Sequence, residues 1–129
     1  MILRKHSYFR YICILIYSCL MPVLLHSQNV VKQISNADGL SNNSVNCFLE
    51  DSEHTLWVGT WDGLNAYNYN KQAFTAYSHN PDDPHSLITN DVTDIAPSAQ
   101  HEDGLWISTY YRGIEYLDIN SGQFTHYNK

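Results

Sequence analysis

Aromatic rings stand next to carboxylate and guanidinium groups at two places in this sequence. Trp61 precedes Asp62 in one of them, and Tyr110 and Tyr111 precede Arg112 in the other. Such a combination suits a sugar ring, because an aromatic face stacks on its apolar side while polar groups bind its hydroxyls. The alternative is that the rings pack between sheets and that nearby asparagines cap turns. The candidate ligand-binding residues are Trp61, Asp62, Tyr110, Tyr111, Arg112, Asn43 and Asn90, with Asn42 and Asp91 beside the asparagines.

Residue patterns that indicate catalysis or metal binding have little support. The later histidines lie mostly in turn-like segments and share no metal-ligand spacing. The segment HNPDDPH, residues 79–85, combines histidine with aspartate, but its prolines and the serine that follows favour a loop. No serine has a nucleophile-elbow context, and no glycine-rich phosphate loop occurs. We therefore expect no enzyme activity, no catalytic residue, no metal site and no cofactor.

The first 27 residues have the layout of a secretory signal peptide. Three basic residues precede an apolar run over residues 11–25, and Ser27 follows that run. A retained membrane anchor is the alternative, although the run is shorter than the roughly 20 residues that a spanning helix needs. We expect a signal helix that is cleaved and a periplasmic or exported protein. Contact with a membrane is expected only through residues 11–25, if cleavage fails.

The charge and the cysteines restrict the partners. The chain carries 13 Asp and Glu against 7 Lys and Arg, and loss of residues 1–27 would remove three bases and no acid. An acidic surface argues against nucleic acid, whose phosphates require a basic patch. Cys13 and Cys19 lie within the signal segment, so Cys47 would stand alone and form no internal disulfide. Its apolar neighbours predict a buried thiol rather than a reactive one.

One sequence pattern occurs twice, and it determines how the candidate residues are positioned. The two copies are offset by 47 residues at their start, by 49 in their middle and by 50 at their end. The offset changes within polar turn segments, as expected for a true duplication. The equivalent pairs are Leu40 and Leu87, Asn43 and Asn90, Val45 and Val92, Leu56 and Leu105, Trp57 and Trp106, Thr60 and Thr109, Gly63 and Gly113, and Phe74 and Phe124.

Each copy has the composition of four short strands joined by polar turns. The predicted strands are 45–50, 56–61, 64–69 and 74–78 in the first copy, and 92–96, 105–110, 114–119 and 124–127 in the second. A lone outer strand is predicted over residues 30–35. Four antiparallel strands per period of this length are typical of a β-propeller blade, so we predict an all-β propeller fragment after the signal helix. In such a meander the candidate turns and the link between the repeats share one end.

Some repeated residues are expected to serve architecture rather than chemistry. Trp57 and Trp106 should fill the core between neighbouring blades, where each ring buries a large apolar area. Gly63 and Gly113 should supply the backbone freedom of a tight turn. We therefore interpret these four residues as the structural core of the repeat.

The stretch GLSNNSVNCFLEDSEHTLWVGTWDGL, residues 39–64, resembles the two-component regulator propeller repeat. It has the G-L-S-x-N-x-V start, the acidic turn and the L-W-V-G-T strand of that pattern. The second copy departs at Ser86 and Ser108, where glycine is usual. The duplication sets the blade repeats at about 39–85 and 86–129, within a partial propeller over 28–129, and the resemblance extends over residues 30–129. It also implies a periplasmic, glycan-related sensor of a hybrid two-component system.

The chain shows no kinase pattern, so we expect a ligand-sensing N-terminal fragment without kinase activity. A remnant without function and part of a propeller lyase are the alternatives. Propellers have about four to eight blades, so two blades would leave apolar sheet faces exposed. We expect further blades or a second copy of the chain to cover them, and a fragment that is marginally folded or oligomeric when alone.

Overall fold

The computed structural model describes residues 31–127, of which residues 34–127 belong to one compact unit. The predicted signal helix over residues 1–27 lies outside the described residues. Two four-stranded antiparallel meanders make up the unit. The first sheet contains β1 Val45–Glu50, β2 Leu56–Thr60, β3 Gly63–Asn68 and β4 Ala73–Tyr77; the second contains β5 Val92–Pro97, β6 Gly104–Thr109, β7 Gly113–Asp118 and β8 Gln123–Tyr127. Among the described residues, no helix has the length and apolar character required to span a bilayer.

All eight strands predicted for the two repeats are present, and no strand end moves by more than one residue. The lone outer strand predicted over residues 30–35 has no partner strand in this chain: among the described residues of that segment, 31–35 are not paired in a sheet. Ser35 instead caps a short 3-10 turn, Asn36–Asp38: its hydroxyl accepts from the Ala37 amide, and the Asp38 carboxylate accepts from the Ser35 amide at 3.0 Å. This reciprocal capping pattern removes Ser35 from any sheet ladder.

The β2–β3 turn shows why a glycine is required at its end. Gly63 has a φ of 118°, a backbone conformation that side chains disfavour, and an added Cβ would lie 2.5 Å from the Tyr77 carbonyl oxygen. The Thr60 hydroxyl closes the turn by donating to the Gly63 carbonyl at 3.0 Å and accepting from the Asp62 amide. Thr109 donates to the carbonyl of Gly113 in the same way, so the turn geometry is repeated along with the sequence.

The core lies between the two sheets, where β1 contacts β5. The first sheet contributes Trp57 and Leu64 to it, with Tyr77 packed alongside. Trp57 is 1% exposed, and its indole Nε1 donates to the Asp51 carboxylate at 2.7 Å, which satisfies its single polar group. The second sheet and the link before it contribute Leu87, Val92, Ile95, Leu105, Ile107, Leu117 and Phe124.

The close approach of the sheets depends on Gly59. A Cβ at this position would lie 2.5 Å from both Cys47 Sγ and Val92 Cγ1, so even an alanine would push the sheets apart. Ser108 is the equivalent residue in the second sheet and lies on the opposite, outward side of that sheet, where its hydroxyl bonds to Thr93 at 2.7 Å. Ser108 therefore lies outside the contact between the two described sheets.

Trp106 shares that outward face with two tyrosines. Its ring lies 5.2 Å from Tyr116 and 5.4 Å from Tyr127, measured between ring centroids, and the indole is only half-buried. The two equivalent tryptophans thus have different surroundings: Trp57 lies between the sheets, and Trp106 lies on a face that the described residues leave open.

Candidate ligand-binding groove

A groove of about 400 Å³ opens at the end of the two sheets where both tight turns lie. Its lining comes from both repeats: Asn46, Trp61, Asp91, Thr93 and Tyr110. Trp61 and Tyr110 remain 54% and 48% exposed, and their ring centroids are 6.4 Å apart. The groove therefore presents two aromatic faces to solvent next to a carboxylate, a hydroxyl and an amide.

Repeated backbone hydrogen bonds hold these two rings in place. The Trp61 amide donates to the Ser44 carbonyl at 3.2 Å, and the Tyr110 amide donates to the Asp91 carbonyl at 3.0 Å. Ser44 and Asp91 are equivalent residues of the two copies. The main chain therefore anchors both rings, and the Tyr110 ring is packed in addition against Tyr111, with 4.0 Å between the ring centroids.

Two β-bulges supply the polar floor of the groove. The pairing of β1 with β2 slips between Val45 and Cys47, and the pairing of β5 with β6 slips between Val92 and Asp94. The extra residue is Asn46 in the first sheet and the equivalent Thr93 in the second, and both line the groove. Bulges redirect a side chain away from the regular alternation of a strand and are common beside binding sites.

Asn46 and Thr93 were absent from the sequence-based candidates. Strand alternation alone cannot reveal a bulge, because the bulge depends on the register between two strands. The available signal was a polar residue directly after the first valine of each otherwise apolar inner strand, in VNCF and VTDI.

The asparagines among the candidates serve as connectors. The Asn43 side-chain oxygen accepts from the Asn36 amide at 2.8 Å, and the Asn90 side-chain oxygen accepts from the His79 amide at 2.6 Å. Asn90 also donates to the Asp62 carboxylate at 2.9 Å, which ties the link between the repeats to the β2–β3 turn. The structure thus places Asn90 and Asp62 together, while Asn43 repeats only the bond to a preceding backbone amide.

Tyr111 and Arg112 lie at the tip of the β6–β7 turn, outside the lining of the groove. This turn has one residue more than the β2–β3 turn, and Tyr111 adopts a left-handed φ of 65° within it. The Tyr111 ring lies 4.0 Å from that of Tyr110, and a hydrogen bond between the two raises the pKa of the Tyr110 hydroxyl. Arg112 is exposed beside them.

Other side chains that could support catalysis or metal binding make structural contacts instead. Within residues 31–127, no group of three or more His, Cys, Asp or Glu side chains is arranged to hold a metal ion. In the HNPDDPH segment, His79 Nδ1 bonds to the Leu87 carbonyl at 2.7 Å, and the His85 carbonyl accepts from the Phe124 amide. Burial, followed by the nearby Asp94 carboxylate, raises the pKa of the Cys47 thiol to about 11, which disfavours the reactive thiolate.

The chain contains two adjacent four-stranded meanders that share one sequence pattern, and their first strands lie side by side. This arrangement defines a β-propeller fragment. Residues 39–62 match the model of the two component regulator propeller family. The chain therefore carries a two component regulator propeller repeat, and the predicted resemblance is confirmed.

Known proteins with similar sequence or structure belong to bacterial signalling systems. The chain is 49% identical to the extracellular domain of BT3049, a proposed hybrid two component system of B. thetaiotaomicron; the match covers 81% of this chain with a TM-score of 0.65. It is 30% identical to the extracellular domain of BT4673 of the same organism, over 64% of this chain with a TM-score of 0.53. It is also 39% identical over 70 residues, 52% of this chain, to histidine kinase P4 of Formosa agariphila. The chain spans 14%, 11% and 5% of these proteins, respectively.

Proposed function

We propose that the chain is part of an exported propeller sensor of a two-component signalling system, and that its groove binds a neutral oligosaccharide. The similarity to extracellular domains of such systems supports the sensor role and the location outside the cytoplasm. The chain itself contributes ligand binding rather than kinase activity or catalysis. The observation that carries the proposal is the exposed aromatic pair, Trp61 and Tyr110, on either side of a polar groove.

The geometry of the groove suits a sugar ring. The rings of Trp61 and Tyr110 are tilted by 50° to one another, so one can stack on a pyranose face while the other contacts its edge. The lining also contains Asn46 and Thr93. The Asn46 side-chain nitrogen donates to the Val92 carbonyl at 2.7 Å and the Thr93 hydroxyl bonds to Ser108, so the Asn46 side-chain oxygen is the clearest polar group left for a sugar hydroxyl. Because the two sheets each supply one ring and one bulge residue, a ligand would bridge both repeats, as is common for sites between structural units.

The charges favour a neutral ligand over an acidic one. Asp91 contributes a carboxylate to the lining, and the chain as a whole has a formal net charge of −6. A uronate or sulfate group in the groove would meet this carboxylate, and like charges in close contact are costly. Arg112 lies outside the lining and does not reverse this preference.

The test is an array of defined neutral and acidic oligosaccharides, followed by calorimetric titration of the best ligand. We expect neutral glycans to bind, and we expect Trp61→Ala and Tyr110→Ala each to weaken binding by about tenfold or more, since stacked aromatic residues dominate such interfaces. Tyr69→Ala is the matched control, because Tyr69 is an equally exposed aromatic residue outside the groove lining. Equal heats for all four proteins would refute the groove as the site.

A further inference from the structure

A second, nearly apolar groove lies on the outward face of the first sheet. It has a volume of about 310 Å³ and is lined by Ile34, Leu40, Val45, Phe48, Leu56, Val58 and Phe74. Phe48 alone leaves 74% of its surface exposed. A contiguous exposed apolar surface of this kind indicates a site where another protein surface packs. We call this surface the rear groove.

The duplication reveals what the rear groove is built to receive. Six of its seven residues have equivalents in the second repeat: Leu87, Val92, Ile95, Leu105, Ile107 and Phe124. All six lie in the core, on the side of the second sheet that packs against the first. The rear groove is therefore the first-repeat version of the surface that packs against Trp57.

The outward face of the second sheet carries the counterpart. There Trp106 occupies the position of Trp57, and Tyr127 occupies that of Tyr77, whose ring lies 5.9 Å from the Trp57 ring in the core. Ile114, the equivalent of the buried Leu64, is exposed on the same side. We call this surface the front face. The chain therefore carries both halves of one repeated interface. The aromatic side chains lie on the front face of the second sheet, and the matching groove is the rear groove of the first sheet.

We propose that the front face of one copy docks into the rear groove of a second copy, with Trp106 in the role that Trp57 has in the core between the two sheets. The interaction is head-to-tail, because it joins two different surfaces of the same chain. It follows the interface already present between the two sheets of one chain, and it is independent of any ligand in the candidate groove.

Three substitutions make this contact weaker than the interface within the chain. Ser108 replaces Gly59 at the point of closest approach, and Tyr116 replaces Ala66. Asp94 replaces Cys47, so a carboxylate would lose water on close docking. The second copy must therefore sit farther away than the second sheet does within one chain, and we expect reversible, concentration-dependent association.

Sedimentation equilibrium of the full chain and of two single variants tests the proposal. Phe48→Lys blocks the rear groove and Trp106→Lys blocks the front face, and both positions are outside the core between the sheets. The wild-type chain should self-associate, and each variant alone should associate at least about tenfold more weakly. Tyr111→Lys, at an exposed aromatic residue away from both surfaces, should behave as wild type. Far-ultraviolet circular dichroism establishes that each variant retains its strands.

Mixing the two variants separates head-to-tail docking from the other arrangements. The Phe48→Lys chain keeps an intact front face and the Trp106→Lys chain keeps an intact rear groove, so an equimolar mixture should form a one-to-one dimer. A wild-type chain that stays monomeric would overturn the proposal. Both surfaces would then be sites for a further sheet with the same repeat pattern. Association that persists unchanged in either variant, through residues 1–30 or through like faces, would also overturn it, as would failure of the mixture to pair.

Ser108→Gly is an independent variant that we expect to strengthen the association rather than weaken it. Removal of this side chain restores the glycine that permits close approach at Gly59, so the variant should associate more tightly than wild type. Weaker or equal association of Ser108→Gly would contradict the equivalence between the two interfaces.

Discussion

Glu115 occupies in the second sheet the position that Asn65 holds in the first, and both side chains are fully buried. Each accepts a hydrogen bond of 3.0 Å from a backbone amide of the segment that leads into its own repeat, Ser41 for Asn65 and Ile88 for Glu115. The Asn65 amide is satisfied further by the Ser41 hydroxyl and the Val58 carbonyl. In the described residues, Oε1 of Glu115 has no partner.

The first prediction is that Glu115→Gln reduces the dependence of stability on pH. Burial raises the pKa of Glu115, although the Ile88 amide, His126 and His79 oppose this. Because the folded pKa lies above the ordinary value of 4.5, the folded state binds this proton more tightly than the unfolded chain. The stability that this carboxyl group contributes is fully present below pH 4.5 and is lost as the pH rises through its pKa in the folded state.

The measurement is the melting temperature of both proteins at a series of pH values above 4.5. As the pH rises, the melting temperature of Glu115→Gln should increase relative to that of the wild-type protein. Glu102→Gln, at an exposed turn residue, is the control and should run parallel to wild type. A Glu115→Gln curve that also runs parallel would show that the buried carboxyl does not titrate differently on folding.

The second prediction concerns Gly59 and its equivalent, Ser108. Gly59→Ala should destabilise the fold by about 1–3 kcal/mol, because a methyl group there overpacks the contact with Cys47 and Val92. Ser108→Ala adds no bulk to any contact between the sheets and should change stability by less than about 1 kcal/mol. Urea denaturation curves of the two variants provide the comparison. Equal costs would mean that the sheets do not approach each other at Gly59.

The third prediction is a stability difference between the equivalent tryptophans. Trp57→Phe removes the hydrogen bond to Asp51 and opens a cavity in the core, which should cost about 2 kcal/mol or more. Trp106→Phe lies on the open front face and should cost less than about 1 kcal/mol. Both are measured by urea denaturation in the Phe48→Lys background, in which we expect association to be suppressed. Comparable losses at the two positions would contradict their different surroundings.

The fourth prediction is that Cys47 resists alkylation. A pKa of about 11 implies roughly a hundredfold less thiolate than at its ordinary value of 9.0, and burial slows the reaction further. Iodoacetamide labelling at pH 8, followed by mass spectrometry of the peptide that contains Cys47, should show modification only after unfolding. Labelling of the native chain at the same rate as the urea-unfolded chain would contradict the raised pKa and the partial burial of this thiol.

The sequence predicted the two-sheet architecture because the duplication supplied it twice. Strand ends moved only slightly, since the hairpin turns at Gly63 and Gly113 fix the register on both sides. The outer strand expected over residues 30–35 has no partner strand among the described residues, and Ser35 at its end joins Asp38 in a local capping pattern instead.

The candidate site was predicted in part. Trp61 and Tyr110 come together because equivalent turns lie at one end of neighbouring meanders, which topology alone establishes. Asn46 and Thr93 could not be found in this way, because only the register between strands reveals a bulge. Asn90 was found but serves as a connector, which composition does not distinguish from a ligand-binding amide.

One repeated position is fully buried at Trp57 in the first sheet and only partly buried at Trp106 in the second. Hydrogen exchange of the indole protons of Trp57, Trp61 and Trp106, measured by NMR in the Phe48→Lys background, tests this difference most directly, with Trp→Phe variants for assignment. The Trp57 proton, buried and bonded to Asp51, should exchange only with unfolding, while Trp61 and Trp106 should exchange orders of magnitude faster. Equally fast exchange at Trp57 and Trp106 would show that the two sheets do not pack as adjacent blades.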